Sequence, residues 1–464
     1  ADGHEVRVLD LNSLRVPGRP MRRLAAALEW RPQLLAVSVF PACNEVYAHA
    51  ARVLAACKQT LGAACLRVAG GVGISIAPET AARRFAGLAD LCAYGEGEQT
   101  LRDVAARLAG GRGFDAIPGL VHFDNAQPVL HEPREFIHDL DTLPFPAFDL
   151  FDSVAAQGGV MAEYPIMTSR GCPFDCVFCL NKVLSRRSFR PRSPRNVVDE
   201  IRHGLAKYRS SAVYIWDDHF SLIRPRAEEI CHLLIKECPG VKYYLPDGIR
   251  ADSVTPGFAR LLKESGCAGA SIGFEDPNPD TFHAVGKGEK YDQIIEAIRL
   301  LKEAGVPVRA SLVIGLPGAT YASTQKAMDA FAKLGIHGEW YLATPFPGTQ
   351  FYDWVQTHGR LIEDPLDLRS LTFRRAVFDT PDFTRAERYR AFYRAFACYS
   401  FPQYAFYGKV CNPLTQQRSR VEKYFTSIFT VARYIPARLP SHVCRLARDL
   451  ALAVARRLWR LVKP

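Results

Sequence analysis

The sequence predicts an α/β protein in three parts: a doubly wound sheet domain, a partial (β/α)6 barrel and a helical C-terminal region. Three observations predict it. Short apolar runs alternate with helical stretches over residues 1–135, and strands of that kind make parallel sheets covered by helices. The alternation resumes over 161–375 with six βα units, two short of a closed (β/α)8 barrel. After 375 the chain turns helical and aromatic.

In the first part, strands are predicted at 5–10, 34–39, 66–70 and 90–94, and helices at 20–29, 46–61, 79–88 and 98–109. Ligands of doubly wound sheets bind at the C-terminal strand ends. Those ends are 10–12, 38–43, 70–75 and 95–98. Gly70-Gly71 and the GEGE run at 95–98 let backbone approach a ligand closely, and equally suit plain turns. The opening ADGHEVRVLDLN reads as a helix end, a glycine stop and a strand. It predicts an initial strand and helix ahead of this sequence, without which a sheet edge would be exposed.

Residues 136–160 carry prolines without a period and predict a connector between domains. The barrel strands are expected at 165–169, 213–217, 242–247, 269–274, 308–315 and 338–343. Its helices are expected near 195–208, 224–237, 256–265, 291–304, 321–334 and 349–358. Residues 376–464 predict a helical cap. Within it, Tyr399, Phe401, Tyr404, Phe406 and Tyr407 serve either as core or as a hydrophobic binding surface. The last 24 residues predict an amphipathic basic helix, with Val443, Leu446, Leu450, Val454, Leu458 and Leu461 on one face. It fits a membrane surface or a helix packed on the barrel.

At 48% hydrophobic and 23% charged residues, the chain is globular rather than disordered. The net charge of +11 is concentrated in 401–464, which hold 12 Lys and Arg against 2 Asp and Glu. No nucleic-acid recognition module accompanies that charge, and no nucleic-acid partner is expected. No uncharged apolar run reaches membrane-spanning length and no signal peptide is read, so a cytoplasmic location is expected, with peripheral membrane contact through the tail left open. The 13 cysteines lack disulfide-scaffold spacing; Cys57, Cys231 and Cys267 read as small core residues.

Cys172, Cys176 and Cys179 are different. They stand in PIMTSRGCPFDCVFCLNK (165–182) at C-x3-C-x2-C spacing, directly after the first barrel strand. Structural zinc needs four ligands, and the next candidates, His203 and Cys231, are distant. Three thiolates on a four-iron cluster leave one iron open to a substrate or cofactor.

This pattern, with Phe178 before the last cysteine, resembles the radical S-adenosylmethionine (SAM) enzymes. The resemblance implies a [4Fe-4S] cluster on Cys172, Cys176 and Cys179, whose open iron chelates SAM and cleaves it to a 5′-deoxyadenosyl radical. It extends through Ser193-Pro194, VVDEI (197–201), WDDHF (216–220), SIGFED (271–276), GLPGAT (315–320) and PFPGT (345–349). It assigns SAM contacts to Phe178, Asp217, Asp218, Glu275, Gly315 and Gly318. Asp217 and Asp218 equally suit a cap or a solvated pair. Asp276-Pro277 replaces the usual Ser-Gly after Glu275, and Ala319 stands where relatives carry Glu.

The N-terminal region resembles the Rossmann-like cobalamin-binding domain of one subgroup, through GHEVRVLDL (3–11), Val37-Ser38-Val39, Gly70-Gly71, YGEGEQT (94–100), IPGL (117–120) and DLDTLPFPAFDL (139–150). It assigns cobalamin contacts to Ser38, Gly70, Gly71, Tyr94, Gly95, Glu96, Gly97 and Glu98. The absence of D-x-H-x-x-G implies no histidine ligand to cobalt, and GGVGIS departs from the relatives' Gly-Gly-x-His. The implied activity is a methyltransferase carrying a methyl group from methylcobalamin to an unactivated carbon of a small-molecule or lipid-like substrate, with flavodoxin or ferredoxin as reductant. A cyclase or rearrangement enzyme of the anaerobic tetrapyrrole type is the alternative, and a non-catalytic cobalamin or iron–sulphur sensor a second. No general base is assigned; His219 is a candidate by position alone.

Overall fold

The structure is a computed structural model and describes residues 3–11, 20–40, 44–366 and 375–395 of the 464-residue chain. The N-terminal domain is built on a five-stranded sheet: β1 Leu34–Ser38, β2 Leu66–Gly70, β3 Leu91–Ala93, β4 Leu120–Asp124 and β5 Gln127–Leu130. β1, β2 and β3 are parallel, as their apolar runs predict, and β4 and β5 add as an antiparallel hairpin. Helices cover both faces. Val104 of Gly97–Ala109 packs with Val68, Leu91 and Leu120 on one side. On the other, Ala69, Cys92 and Val121 meet Leu54, Ile74 and Phe85.

Two expectations are corrected here. Residues 5–10 are not a strand of this sheet. Val8 makes a single bridge to Phe151 of the connector, donating to Leu150 O at 3.1 Å and accepting from Asp152 N at 3.0 Å. Strand periodicity was present, but Val6 and its neighbours stay exposed, so no burial rewards sheet pairing. Among the described strands the order runs β1-β2-β3-β4-β5, without the reversal that makes a sheet doubly wound. The β4–β5 hairpin went unread. Its turn is Asp124–Gln127, with Asn125 and Ala126 both at positive φ, the geometry that two-residue hairpin loops demand.

The barrel agrees with its six predicted units. β6 Glu163–Ile166 is followed by a short ladder of β7 Ser169–Arg170 with β8 Arg190–Pro191. Then come β9 Ala212–Ile215, β10 Tyr243–Leu245, β11 Cys267–Glu275, β12 Val308–Ile314 and β13 His337–Leu342. The sheet order is β13-β12-β11-β10-β9-β6, parallel throughout. Its helices start where the sequence supplies caps: Ser193, Thr255, Thr320 and Thr349 each accept a hydrogen bond from a first-turn N–H. Alternate residues of β12 and β13 are buried against the helices, and the others face the barrel interior. Cys57, Cys231 and Cys267 are core residues, as expected.

The connector carries only short helical turns, Leu140–Thr142, Phe148–Leu150 and Asp152–Ala155. Past the barrel, β14 Arg360–Leu361 pairs with β15 Phe378–Asp379, and a helix spans Arg385–Ala395. The aromatic group at 399–407 and the basic tail lie outside the described residues. Among the described residues, no helix is long and apolar enough to cross a membrane.

Candidate functional site

The cysteine loop leaves the C-terminal end of β6 and is held at its root by Asp217, just beyond β9. Asp217 is buried; its carboxylate accepts from Thr168 N and Ser169 N (3.2 Å), from Ser169 Oγ (2.7 Å) and from Thr168 Oγ1. Four donors fill the four lone-pair sites of a carboxylate. Burial raises its pKa, and these hydrogen bonds oppose the rise. Asp217 therefore holds the loop and has no lone pair left for a SAM amino group, a correction to its sequence assignment.

Gly171 follows at φ +84°, where a Cβ would stand 2.3 Å from Ser188 O, so only glycine lets the loop turn here. The loop is pinned midway: Val177 N donates to Val285 O (3.0 Å) and Phe351 N donates to Val177 O (2.9 Å). Phe178 packs with Val285, Leu316, Ala343 and Phe351, which makes it an anchor of the loop rather than a free cofactor contact.

The three cysteines are free thiols, Cys172 buried and the other two half-buried. Burial pushes Cys176 up to about 12 and Cys179 up to about 11. Such thiols become thiolates only beside a strong cation, which is what metal ligation supplies. Asn181 N already points at Cys179 Sγ, 3.4 Å away. Among the described residues no three Cys, His, Asp or Glu converge closely enough to hold a single ion. Three cysteine sulphurs at this spacing suit a soft, multinuclear group.

Two acids line the cleft above β9 and β10. Asp218 is solvent-accessible, yet surrounding protein raises its pKa, opposed by hydrogen bonds from the Asn181 side chain and Gly171 N–H. Asp247, which sequence analysis did not single out, is raised to about 6 by burial and then by Asp218, with Arg309 opposing. An accessible but desolvated carboxyl pair marks a cleft wall. Asp247 has a folded pKa above its unfolded value of about 3.9. Its stabilising contribution is whole below about pH 4 and is lost as pH rises through about 6. Asp247→Asn is therefore expected to raise Tm at pH 7.5 and leave it unchanged at pH 4, read by thermal unfolding at both pH values.

Glu275 closes β11 at φ +63°, beside a register shift against β12, a strained conformation for a non-glycine residue. It pairs with buried Lys287 (3.2 Å), which also pairs with Glu289 (3.0 Å) and donates to Gly273 O. His219 meets Phe174 edge to face at 5.3 Å. Burial, then Arg250 and Lys287, push it down to about 3, so it is neutral and a weak base. Gly315, assigned to SAM, instead makes room for Arg388: a Cβ there would meet Nη1 at 1.7 Å. Arg388 donates to Gly315 O at 3.0 Å and stacks over Phe378 and Phe383. Gly318 is open, with nothing near its Cβ position.

Inside the barrel, Tyr214 stacks on Tyr244 (4.8 Å) and on half-exposed Trp216 (6.3 Å). Opposite lie the Arg309–Glu339 pair (2.7 Å) and Tyr341, which donates to Glu339 (2.8 Å). Apart from Trp216, quoted within WDDHF, sequence analysis named none of these. Strand alternation could have found them, because Tyr214 and Tyr244 have the parity opposite to buried Val213 and Tyr243.

The N-terminal strand ends gather most of their assigned residues. Ser38 ends β1, Gly70 ends β2, and Gly71 lies against Ser38 and Val39. Gly95 N donates to Ser75 Oγ at 3.0 Å, and Tyr94 Oη donates to His131 O at 2.5 Å. Gly97 begins its helix with open space at its Cβ position. Glu96 and Glu98 do not join this group as ligand contacts. Glu96 pairs with Arg190 (2.8 Å) and Arg170 (2.9 Å), and Glu98 with Arg170 (2.6 Å). Leu180 and Leu184, just past the last cysteine, pack into the N-terminal core with Ile74. The two domains thus meet at the cysteine loop.

Residues 166–331 match the Radical SAM superfamily. Over 298 residues the chain is 30% identical to an uncharacterized methyltransferase of Pyrococcus horikoshii, a match covering 64% of each. Over 333 residues it is 26% identical to the anaerobic magnesium-protoporphyrin IX monomethyl ester cyclase of Rubrivivax gelatinosus, covering 67% of this chain and 58% of the cyclase. The chain therefore spans less than two thirds of the length of these relatives. In fold it resembles the radical S-adenosylmethionine methyltransferase TsrM of Kitasatospora setae, solved with cobalamin and a [4Fe-4S] cluster bound: TM-score 0.68 at 17% identity, covering 98% of this chain and 94% of that one. The matched residues 166–331 thus take in the cysteine loop and most of the barrel, and the likeness to TsrM is a likeness of fold.

Proposed function

We propose that the chain is a cobalamin-dependent radical SAM methyltransferase acting on a small-molecule or lipid-like substrate. The observation that carries the reading is the meeting of the N-terminal strand-end turns with a three-cysteine loop over an acidic cleft. When bound, the cluster would supply the electron that cleaves SAM, and cobalamin the methyl group delivered to an unactivated substrate carbon. Cys172, Cys176 and Cys179 would hold the cluster with one iron open. Asp218, solvent-facing on the cleft wall, is the carboxylate suited to a SAM amino group; Asp217 fixes the loop beneath it. Ser38, Gly70, Gly71 and Gly95 offer a small-residue floor for the corrin ring. Tyr214, Trp216 and Tyr244 give the barrel interior an apolar wall for substrate, opposite hydrogen-bonding groups that orient it. The reductant would be flavodoxin or ferredoxin.

The similarity to the cyclase favours a second reading, ring formation with the same cofactors. One experiment separates them. The protein is reconstituted anaerobically with iron, sulphide and hydroxocobalamin, then reduced and given SAM with a deuterated methyl group in a host-cell extract. The expected products are 5′-deoxyadenosine, S-adenosylhomocysteine and a deuteromethylated extract component. Deoxyadenosine with an unlabelled new product selects the cyclase reading; SAM binding without cleavage selects a sensor.

A further inference from the structure

The GEGE turn after β3 does something other than face a ligand. Glu96 Oε1 accepts from Arg170 Nη1 (2.9 Å) and Arg190 Nη2 (2.8 Å), and its Oε2 accepts from Arg190 Nη1 (3.0 Å) and Ile137 N (2.9 Å). Arg190 Nη1 also donates to Ile137 O (2.7 Å), and its guanidinium lies 4.4 Å from the Phe136 ring. Arg170 and Arg190 are register partners across the β7–β8 ladder. Burial alone would raise the pKa of Glu96; Arg190, Ile137 N–H and Arg170 outweigh it and hold the carboxyl low. One half-buried carboxylate therefore joins three parts of the chain: the N-terminal turn, the connector and the ladder whose next residues are Gly171 and Cys172.

We propose that Glu96 is a positioning residue, a latch that fixes the N-terminal strand-end turn against the root of the cysteine loop. The turn then sets where Cys172 stands, and the distance between the two domains' sites is fixed by a bidentate ion pair that also ties down the start of the connector. Arginine suits this role because its planar fork engages both carboxylate oxygens at once, which a lysine cannot do. The consequence for two cofactors rests on the function proposed above; the latch itself does not.

The test has two arms. In the protein as purified, Glu96→Ala is expected to speed amide hydrogen exchange at 169–172 and at Arg190 by about tenfold or more while β12 keeps its rates. Unchanged exchange at 169–172 overturns the latch, and so does faster exchange throughout the barrel, which would make Glu96 a general stabiliser. Glu96→Gln, which keeps one acceptor oxygen but loses the charge and turns an NH2 toward Arg190 and Ile137 N–H, is expected to act in the same places more weakly, and it decides the question if Glu96→Ala fails to fold. In the second arm, the protein is loaded with iron, sulphide and hydroxocobalamin and reduced, and the magnetic coupling between cobalt and cluster is read by electron paramagnetic resonance. A single coupling in the parent chain should broaden in Glu96→Ala with iron content unchanged; an identical coupling overturns the positioning role. If the parent chain takes up no cobalamin, the functional reading fails and the exchange arm still decides the latch.

Discussion

Replacing any one of Cys172, Cys176 or Cys179 with alanine is expected to abolish SAM cleavage while hydroxocobalamin still binds. A cluster held by three thiolates has no spare ligand, so losing one releases it. Losses of outer hydrogen-bonding partners at metal sites run about 10–100-fold, and losing a direct ligand should exceed them. The protein should survive the change: alanine removes one sulphur, a cost of about 1 kcal/mol. The visible absorption of the reconstituted cluster, iron per chain and 5′-deoxyadenosine yield are the measurements. Retained cleavage in any single variant would remove that cysteine from the site. Loss of cobalamin together with iron would show that the N-terminal face depends on an ordered cysteine loop, a dependence that Leu180 and Leu184 are placed to transmit.

What the sequence disclosed divides by distance along the chain. The cysteine loop is local, and its spacing alone located it. The six barrel strands are also local, because period-two alternation and helix caps lie within each unit. The misassigned residues have partners far away. Glu96 and Arg190 are 94 residues apart, and Gly315 and Arg388 are 73 apart. A glycine that admits an arginine and one that admits a cofactor look the same in sequence. Residues 5–10 had the right period but no buried face, and period without burial does not make a strand. Asp217 and Asp218 are the instructive pair. Val213 and Ile215 are buried, so strand parity already put Asp217 on the buried, helix-facing side and Asp218 toward the cleft. Treating the two acids as equivalent lost that information.

That distinction yields the second large effect. Asp217→Ala is expected to cost about 3–5 kcal/mol, because it strands the buried donors Thr168 N and Ser169 N and removes the carboxylate that most favours the charge of buried Arg226. Against a total stability of about 5–15 kcal/mol, such a variant stands near unfolding and should not retain a cluster. Asp217→Asn should behave differently. Its amide oxygen can accept from the same two N–H groups, and its NH2 can donate to the Thr168 and Ser169 hydroxyls once these rotate. Only the charge near Arg226 is lost, a cost of about 1–2 kcal/mol. Urea unfolding of both variants, with iron retention after reconstitution, measures this directly. If Asp217 touched SAM instead, both substitutions would leave stability near that of the parent chain and weaken SAM binding alike. A large stability gap between alanine and asparagine is the result that four donors converging on one buried carboxylate require.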